Sequence, residues 1–206
     1  MSLKAAHARA QTLLKSRPDC AAYLPAFAGE ANPVPGEAGL KWGPAGSVAA
    51  SIPEVMPHAS PETRALTHAV VRARSRVDWW NAYDPEAPGG RGFATRSAAC
   101  LLCGPGGAFT APHGRAGFFY LREGVEYAPH RHRPREIYVL LAGQARFWNE
   151  ATGWCWAGPG SVIHAREQSW HAMATPAGPV LILWCWIGED FEGRPIFRDQ
   201  TGALPA

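Results

Sequence analysis

The sequence predicts a mainly β domain, a barrel or a sandwich, preceded by a helical N-terminal part. After residue 90, short apolar runs alternate with turn residues at near-regular spacing, which is typical of such folds. The chain contains 22 glycines and 19 prolines, many of them in clusters such as Pro105-Gly106-Gly107. Before residue 90, two segments instead have the apolar spacing of helices.

The first predicted helix covers residues 2–16, with Ser2 as its N-cap. Its apolar positions fall on one side: Leu3, Ala6, Ala10, Leu13 and Leu14. Residues 18–60 are rich in Pro, Gly and Ala and show no clear period. We expect them to form a long connection that lies against the domain.

The second predicted helix opens at Ser60-Pro61-Glu62 and ends before Pro85. Serine is a favoured N-cap, proline a favoured first helical residue, and glutamate suits the positive end of the helix dipole. The apolar stripe of this predicted helix consists of Leu66, Ala69, Val70, Ala73, Val77 and Trp80.

The remainder of the chain contains strand-like apolar runs separated by turns. These runs are residues 97–103, 117–122, 136–142, 144–149, 161–163, 170–174 and 180–187. We therefore divide the chain into a helical extension, residues 1–90, packed on a β-barrel domain, residues 91–206.

Composition and charge narrow the range of partners. The formal charge is only +3 and the arginines are scattered, so the dense basic stripe of a nucleic-acid-binding protein is missing. No apolar run reaches the ~18 residues of a membrane-spanning helix. The N-terminus lacks the pattern of a signal peptide. We expect a cytoplasmic protein, monomeric or homodimeric, that acts on a small molecule and binds neither nucleic acid nor membrane.

Residues 127–138, YAPHRHRPREIY, concentrate side chains that bind metals. Alternate residues of a strand share a face, so His130 and His132 point the same way. Pro134 predicts a turn, after which Glu136 and Tyr138 share a face of the next strand. Two imidazoles and a carboxylate suit a divalent ion such as Zn, Fe, Mn, Co or Ni.

A fourth ligand is expected from a later strand. His171, in the segment SWHAMATP, is the preferred candidate, and His164 is the alternative.

The spacing of these residues resembles the first cupin motif. Residues 124–143 read G-x5-H-x-H-x3-E-x6-G and match that motif at every fixed position. The second motif, G-x5-P-x-G-x2-H-x3-N, fits less well. With His171 at its histidine, Gly160 matches the first glycine, but Arg166, Gln168 and Thr175 replace the proline, glycine and asparagine. The resemblance implies a single cupin barrel, a double-stranded β-helix.

A narrower resemblance is to the cupin-type dimethylsulfoniopropionate (DMSP) lyases. It extends over roughly residues 60–190 and includes LLCGPGG, EIYVLLAGQARFW, HAMATP and the Trp-rich strand at 180–187. It implies cleavage of DMSP to dimethyl sulfide and acrylate by β-elimination. Carried over to this chain, the metal ligands are His130, His132, Glu136 and His171, and Tyr127 and Tyr138 flank them.

The chemistry of this reaction suggests roles for the two tyrosines and for tryptophan. Tyr138 shares the face of the ligands and is the expected general base, while Tyr127 is expected to orient the substrate or assist proton transfer. A sulfonium cation binds well over an indole face. Trp184 and Trp186 share one face of their strand and are candidates for lining the barrel.

Two alternatives stay open at this point. One is a metal-dependent cupin enzyme, an oxygenase or an isomerase, that acts on another small carboxylate. The other is a cupin that binds a small molecule without turnover. Fold alone does not decide between them, since one fold hosts many reactions.

Overall fold

The computed structural model describes residues 2–32, 42–86, 90–188, 190–191 and 195–198. Part of the predicted 18–60 connection and the predicted end of the barrel domain at 206 lie outside these ranges. The predicted limit at 90 lies at the edge of a described range. The division into extension and barrel therefore stays a prediction.

The N-terminal part is helical, as predicted. Its α-helices are α1 (Leu3–Lys15), α2 (Gly46–Ala49), α3 (Arg64–Ala73) and α4 (Gly90–Ala94). Its 3₁₀ helices are Pro18–Phe27, Ile52–His58 and Arg74–Arg76. Helix α1 packs against α3, and the first 3₁₀ helix packs against two barrel strands, Gly114–Leu121 and Val180–Ile187. Within the described residues, none of the helices is long and apolar enough to cross a membrane.

The second predicted helix is shorter than its apolar stripe indicated. It begins at Arg64, because Ser60 and Thr63 form a hydrogen-bonded turn in which the Thr63 N–H donates to Ser60 Oγ at 3.3 Å. The α-helix ends at Ala73 and a 3₁₀ turn ends at Arg76. Trp80 is instead in extended backbone, paired with Ala99. Its burial comes from the barrel and not from a helical face.

Within the described residues, ten strands form the barrel. They are β1 (Ser97–Cys103), β2 (Gly114–Leu121), β3 (Glu126–Arg131), β4 (Arg135–Ala142), β5 (Ala145–Asn149), β6 (Gly153–Ala157), β7 (Val162–Ala165), β8 (His171–Ala174), β9 (Val180–Ile187) and β10 (Ile196–Phe197). All seven runs predicted as strands are strands. Strand β3 matches the strand predicted separately around His130, and strands β6 and β10 were missed.

The strands make two five-stranded antiparallel sheets. One has the order β1-β2-β9-β4-β7 and the other β10-β3-β8-β5-β6. This is the predicted cupin barrel with a helical N-terminal part. Strand β9 lies at the centre of the first sheet and is buried along its whole length.

The turn after β4 requires glycine. Gly143 has φ of 82°, in the left-handed region that side chains disfavour. A Cβ there would lie 2.2 Å from the carbonyl oxygen of Pro179. The last fixed glycine of the first cupin motif therefore has a steric cause in this chain.

Candidate metal centre and active site

Three histidines converge inside the barrel. His130 lies in β3 and His171 opens β8, and the two are direct cross-strand partners. His132 follows β3 by one residue. All three are buried, and each offers a ring nitrogen within 4.8 Å of the others. The structure thus brings together the three histidines that the sequence proposed as ligands.

Backbone carbonyls fix the orientation of all three imidazoles. The Nδ1 atom of His130 lies 2.8 Å from Ala128 O, that of His132 lies 2.9 Å from Pro134 O, and that of His171 lies 3.0 Å from Ser169 O. A carbonyl only accepts hydrogen bonds, so Nδ1 carries the proton in each ring. Nε2 of each ring therefore faces the cluster, which is the arrangement found around protein-bound metals.

Glu136 completes the cluster from the start of β4. Its Oε2 lies 2.7 Å from His132 Nε2 and 3.5 Å from His171 Nε2. Burial by itself raises the pKa of this carboxyl, but the attraction and hydrogen bonds of His132 and His171 outweigh it and lower the pKa to about 2. Glu136 is therefore a carboxylate at neutral pH.

The donor set fits a divalent cation. Burial lowers the pKa of His130 well below its ordinary value, and the neighbouring imidazoles lower it further, so this ring is neutral. Imidazole nitrogens and a carboxylate oxygen face one another at short range in this cluster. N/O donors of this kind suit Zn, Fe, Mn, Co or Ni.

Tyr138 lies beside the cluster. Its hydroxyl is 3.5 Å from His171 Nε2, and its side chain is buried. Burial raises the pKa of Tyr138 well above its ordinary value, and the negative charge of Glu136 adds to this effect. In the absence of a cation the phenol is protonated at neutral pH.

Tyr127 is enclosed by aromatic rings. Its ring stacks on His130 at 4.0 Å and on Phe93 at 4.6 Å, measured between ring centroids. Burial raises its pKa as well, with further contributions from Glu136 and Tyr83. Its fixed ring and protonated hydroxyl suit a group that positions a ligand.

His164 lies apart from the cluster. It is in β7, its side chain is 45% exposed, and its nearest charged partner is Asp19 at 3.8 Å. Of the two histidines considered for the fourth position, the structure places His171 with His130 and His132.

The departures from the second cupin motif are accommodated locally. Gln168 takes the motif's glycine position and has φ of 57°, the left-handed conformation that glycine adopts freely. Thr175 takes the asparagine position, and its hydroxyl donates to Arg122 O at 2.6 Å and accepts from Val125 N–H at 3.0 Å. The backbone before and after His171 is therefore held although the motif residues differ.

A pocket opens onto three of the four candidate ligands, His130, His132 and Glu136. About 70 Å³ of its space admits a sphere the size of a water molecule. Its lining includes His130, His132, Glu136 and both tyrosines. Aromatic side chains supply much of the remainder, namely Trp42, Trp80, Phe119, Trp184 and Trp186. Trp184 and Trp186 line the barrel as expected, whereas Trp42, Trp80 and Phe119 could not be assigned to the pocket from periodicity.

Comparison with known proteins identifies the family. The family model described as dimethylsulfoniopropionate lyase matches residues 47–182. This chain belongs to the dimethylsulfoniopropionate lyase family. The assignment confirms the narrower resemblance seen in the sequence, and with it the classification among carbon–sulfur lyases.

Individual relatives agree with the family. Dimethylsulfoniopropionate lyase DddQ of Ruegeria pomeroyi DSS-3 is 29% identical over 156 residues, which are 74% of this chain and 77% of that protein. The crystal structure of DddQ from the same organism superposes with a TM-score of 0.81 at 28% identity and covers 98% of both chains. A chain from the structures of the DMSP lyases RdDddP and RnDddQII gives a TM-score of 0.76 at 26% identity, covering 96% of this chain and 97% of that one.

Proposed function

We propose that this protein is a metal-dependent lyase that cleaves DMSP to dimethyl sulfide and acrylate by β-elimination. The observation that carries the proposal is a phenol, Tyr138, placed within 3.5 Å of a buried imidazole cluster in a pocket of a DMSP lyase family member. The cluster can bind a cation, a bound cation can bind the carboxylate of a substrate, and the ionised phenol can abstract a proton.

We assign His130, His132, Glu136 and His171 as the metal ligands. The support is their burial, their mutual distances and the Nδ1 hydrogen bonds that turn each Nε2 toward the cluster. A bound divalent ion supplies Lewis acidity, which draws electron density from a carboxylate and favours the ionised form of a nearby phenol. The identity of the ion is left open among Zn, Fe, Mn, Co and Ni.

Tyr138 is assigned as the general base. Its phenolate takes the proton from the carbon next to the substrate carboxylate, and the electrons of that C–H bond form the new C=C bond. The C–S bond breaks, and sulfur leaves with the bonding pair as neutral dimethyl sulfide. A neutral leaving group needs no general acid, so one base satisfies the proton balance.

Tyr127 is assigned to substrate positioning. It lines the same pocket, and the rings of His130 and Phe93 hold it in place. Its pKa is raised by burial first and by Glu136 second, so it keeps its proton and can donate a hydrogen bond to a substrate oxygen. Assistance in proton transfer is the other role consistent with its position.

The products test the proposed reaction. Purified protein incubated with DMSP should give the vinyl proton signals of acrylate in the NMR spectrum, with an equal amount of dimethyl sulfide in the headspace. The same protein treated with a chelator serves as the control and should give neither. Unchanged DMSP after incubation with each of the five candidate metals would refute the assignment and favour a different carboxylate or a binding role.

We further propose that the protein is cytoplasmic and either monomeric or homodimeric.

A further inference from the structure

The backbone pairing that carries the three histidines is short. The register between β3 and β8 is interrupted between Tyr127 and His130, and the last cross-strand pair is His130 with His171. His132 lies beyond that pair, where its carbonyl oxygen accepts a hydrogen bond from the Gln168 N–H at 2.9 Å. Few backbone hydrogen bonds therefore hold the end of these strands at which the ligands lie, so side-chain contacts there carry more weight.

One such contact lies on the outer face of the sheet. Arg131 is in β3, and it points away from the side that carries His130, because neighbouring residues of a strand face opposite sides. Its guanidinium lies over the ring of Trp170, with Cζ 4.7 Å from the ring centre. Neither side chain belongs to the lining of the pocket. The contact thus joins β3 to the residue before β8 from outside the barrel.

A second arginine reaches the same indole from the C-terminal segment. Cζ of Arg198 lies 5.9 Å from the centre of the Trp170 ring, and the Arg198 N–H donates to Pro129 O at 2.9 Å. The preceding residue, Phe197, is the cross-strand partner of His130, and their rings are 5.6 Å apart. This segment therefore contacts β3 on both faces of the sheet.

These three side chains form an arginine–tryptophan clasp, which consists of Arg131, Trp170 and Arg198. A guanidinium is attracted to the electron-rich face of an indole, and partial burial strengthens the attraction. Trp170 is half-buried, whereas Arg198 is exposed, so we expect the shorter contact of Arg131 to contribute more than that of Arg198.

The clasp adjoins the ligands along the chain. Arg131 has one of the candidate ligands on each side of it in the sequence. Trp170 lies between His171 and Ser169, whose carbonyl oxygen is 3.0 Å from His171 Nδ1 and fixes that ring. A displacement of Trp170 would therefore move both the third ligand and the carbonyl that orients it.

We propose that Trp170 is a positioning residue that, through the clasp, holds His130, His132 and His171 at the separation that a divalent ion requires. This inference rests on the proposed function, because it takes these histidines as metal ligands. Ligands that are already in place when the ion arrives need less ordering, and the affinity for the ion rises. Trp170 touches neither ion nor substrate in this scheme and has no part in proton transfer.

Cobalt(II) binding tests the proposal without any turnover. Chelator-stripped protein is titrated with Co²⁺ against a competing chelator, and the visible absorption of the saturated protein reports the geometry of the ligands. Trp170→Leu should weaken cobalt binding by about tenfold, the low end of the loss caused by removal of outer-shell partners, and should alter the absorption band. Trp170→Phe keeps an aromatic face and should retain most of the affinity and the band of the unaltered protein.

Trp154→Leu is the matched control. Cζ of Arg146 also lies 4.7 Å from the centre of the Trp154 ring, but Trp154 is on β6, which carries none of the candidate ligands. Loss of this pair should change neither the cobalt affinity nor the band. Equal changes in Trp170→Leu and Trp154→Leu would overturn the inference, because general destabilisation would then explain both.

A milder variant covers the case in which Trp170→Leu does not fold. Arg198→Met alters an exposed side chain and should weaken cobalt binding by about twofold, as expected for a partly solvated cation–π contact. If Trp170→Leu is unfolded and Arg198→Met has the affinity of the unaltered protein, the inference is wrong.

The outcomes separate this inference from the proposed reaction. Weakened cobalt binding by Trp170→Leu in a protein that leaves DMSP intact would support the clasp and refute the lyase assignment. Cleavage of DMSP together with unchanged cobalt affinity in Trp170→Leu would support the lyase and refute the clasp. No cobalt binding by the unaltered protein would refute both, since the histidines would then not be ligands.

Discussion

The proposed base allows a sharp test, because removing its hydroxyl should affect chemistry far more than folding. In Tyr138→Phe the ring stays, and with it the packing against Phe147, whose ring centroid is 5.6 Å away. The hydroxyl lies 3.5 Å from His171 Nε2, a contact that is long and therefore weak.

The expected magnitudes follow from this geometry. Loss of a long hydrogen bond should change the free energy of unfolding by less than about 1 kcal/mol. Loss of a general base should lower kcat by about 10²–10⁴-fold, which corresponds to about 2.7–5.4 kcal/mol in the activation free energy. Metal content should stay the same, because the three imidazoles and Glu136 are unchanged.

The assay combines headspace dimethyl sulfide, metal analysis and thermal unfolding on the same preparation. Tyr23→Phe is the matched control: Tyr23 is also buried, but its ring lies 6.2 Å from that of His164, outside the pocket. It should keep the rate of the unaltered protein. A Tyr138→Phe protein that retains full metal content and the full rate would show that another group removes the proton.

Three further predictions concern the ligands and the fold. His171→Ala should lose bound metal and activity while His164→Ala keeps both, as measured by metal analysis and headspace assay; equal metal content in the two variants would contradict the ligand assignment. Gln168→Gly should raise the free energy of unfolding by about 0.5–1 kcal/mol in urea titrations, because relief of left-handed strain exceeds the added chain entropy; a lower value would show no strain at this residue. Burial lowers the pKa of His7 in the folded chain, so below about pH 6.5 the unfolded chain binds a proton that the folded chain excludes, and stability falls as pH drops. His7→Phe should therefore flatten the loss of stability between pH 7 and pH 5, and an unchanged slope would exclude His7 as its source.

The candidate site could be predicted because its ligands are local in sequence. The spacing of His130, His132 and Glu136 encodes a strand, a turn and a second strand, so their shared face follows from alternation alone. His171 had to be found through the second cupin motif, in a segment distant in sequence. Because that motif matches poorly, with Gln168 in place of its glycine, His164 stayed open as an alternative. The structure separates the two because His164 is the cross-strand partner of Ile137, which lies on the opposite face of β4 from Glu136.

The remainder of the pocket depends on contacts distant in sequence. Trp80 has helical spacing with Val70 and Ala73, yet its backbone bonds to Ala99 and takes it out of the helix. Periodicity reports that a residue is buried but not which neighbour buries it. Strand β6 was missed because its Trp156 is exposed at the edge of its sheet, and β10 because it has only two residues.

A titration with divalent ion tests whether cleavage depends on a bound metal. Protein stripped by a chelator is given increasing amounts of ion, and bound ion and dimethyl sulfide release are recorded together. The account predicts no release from the stripped protein and a maximum at one bound ion per chain. Full release of dimethyl sulfide from protein without detectable bound ion would contradict it.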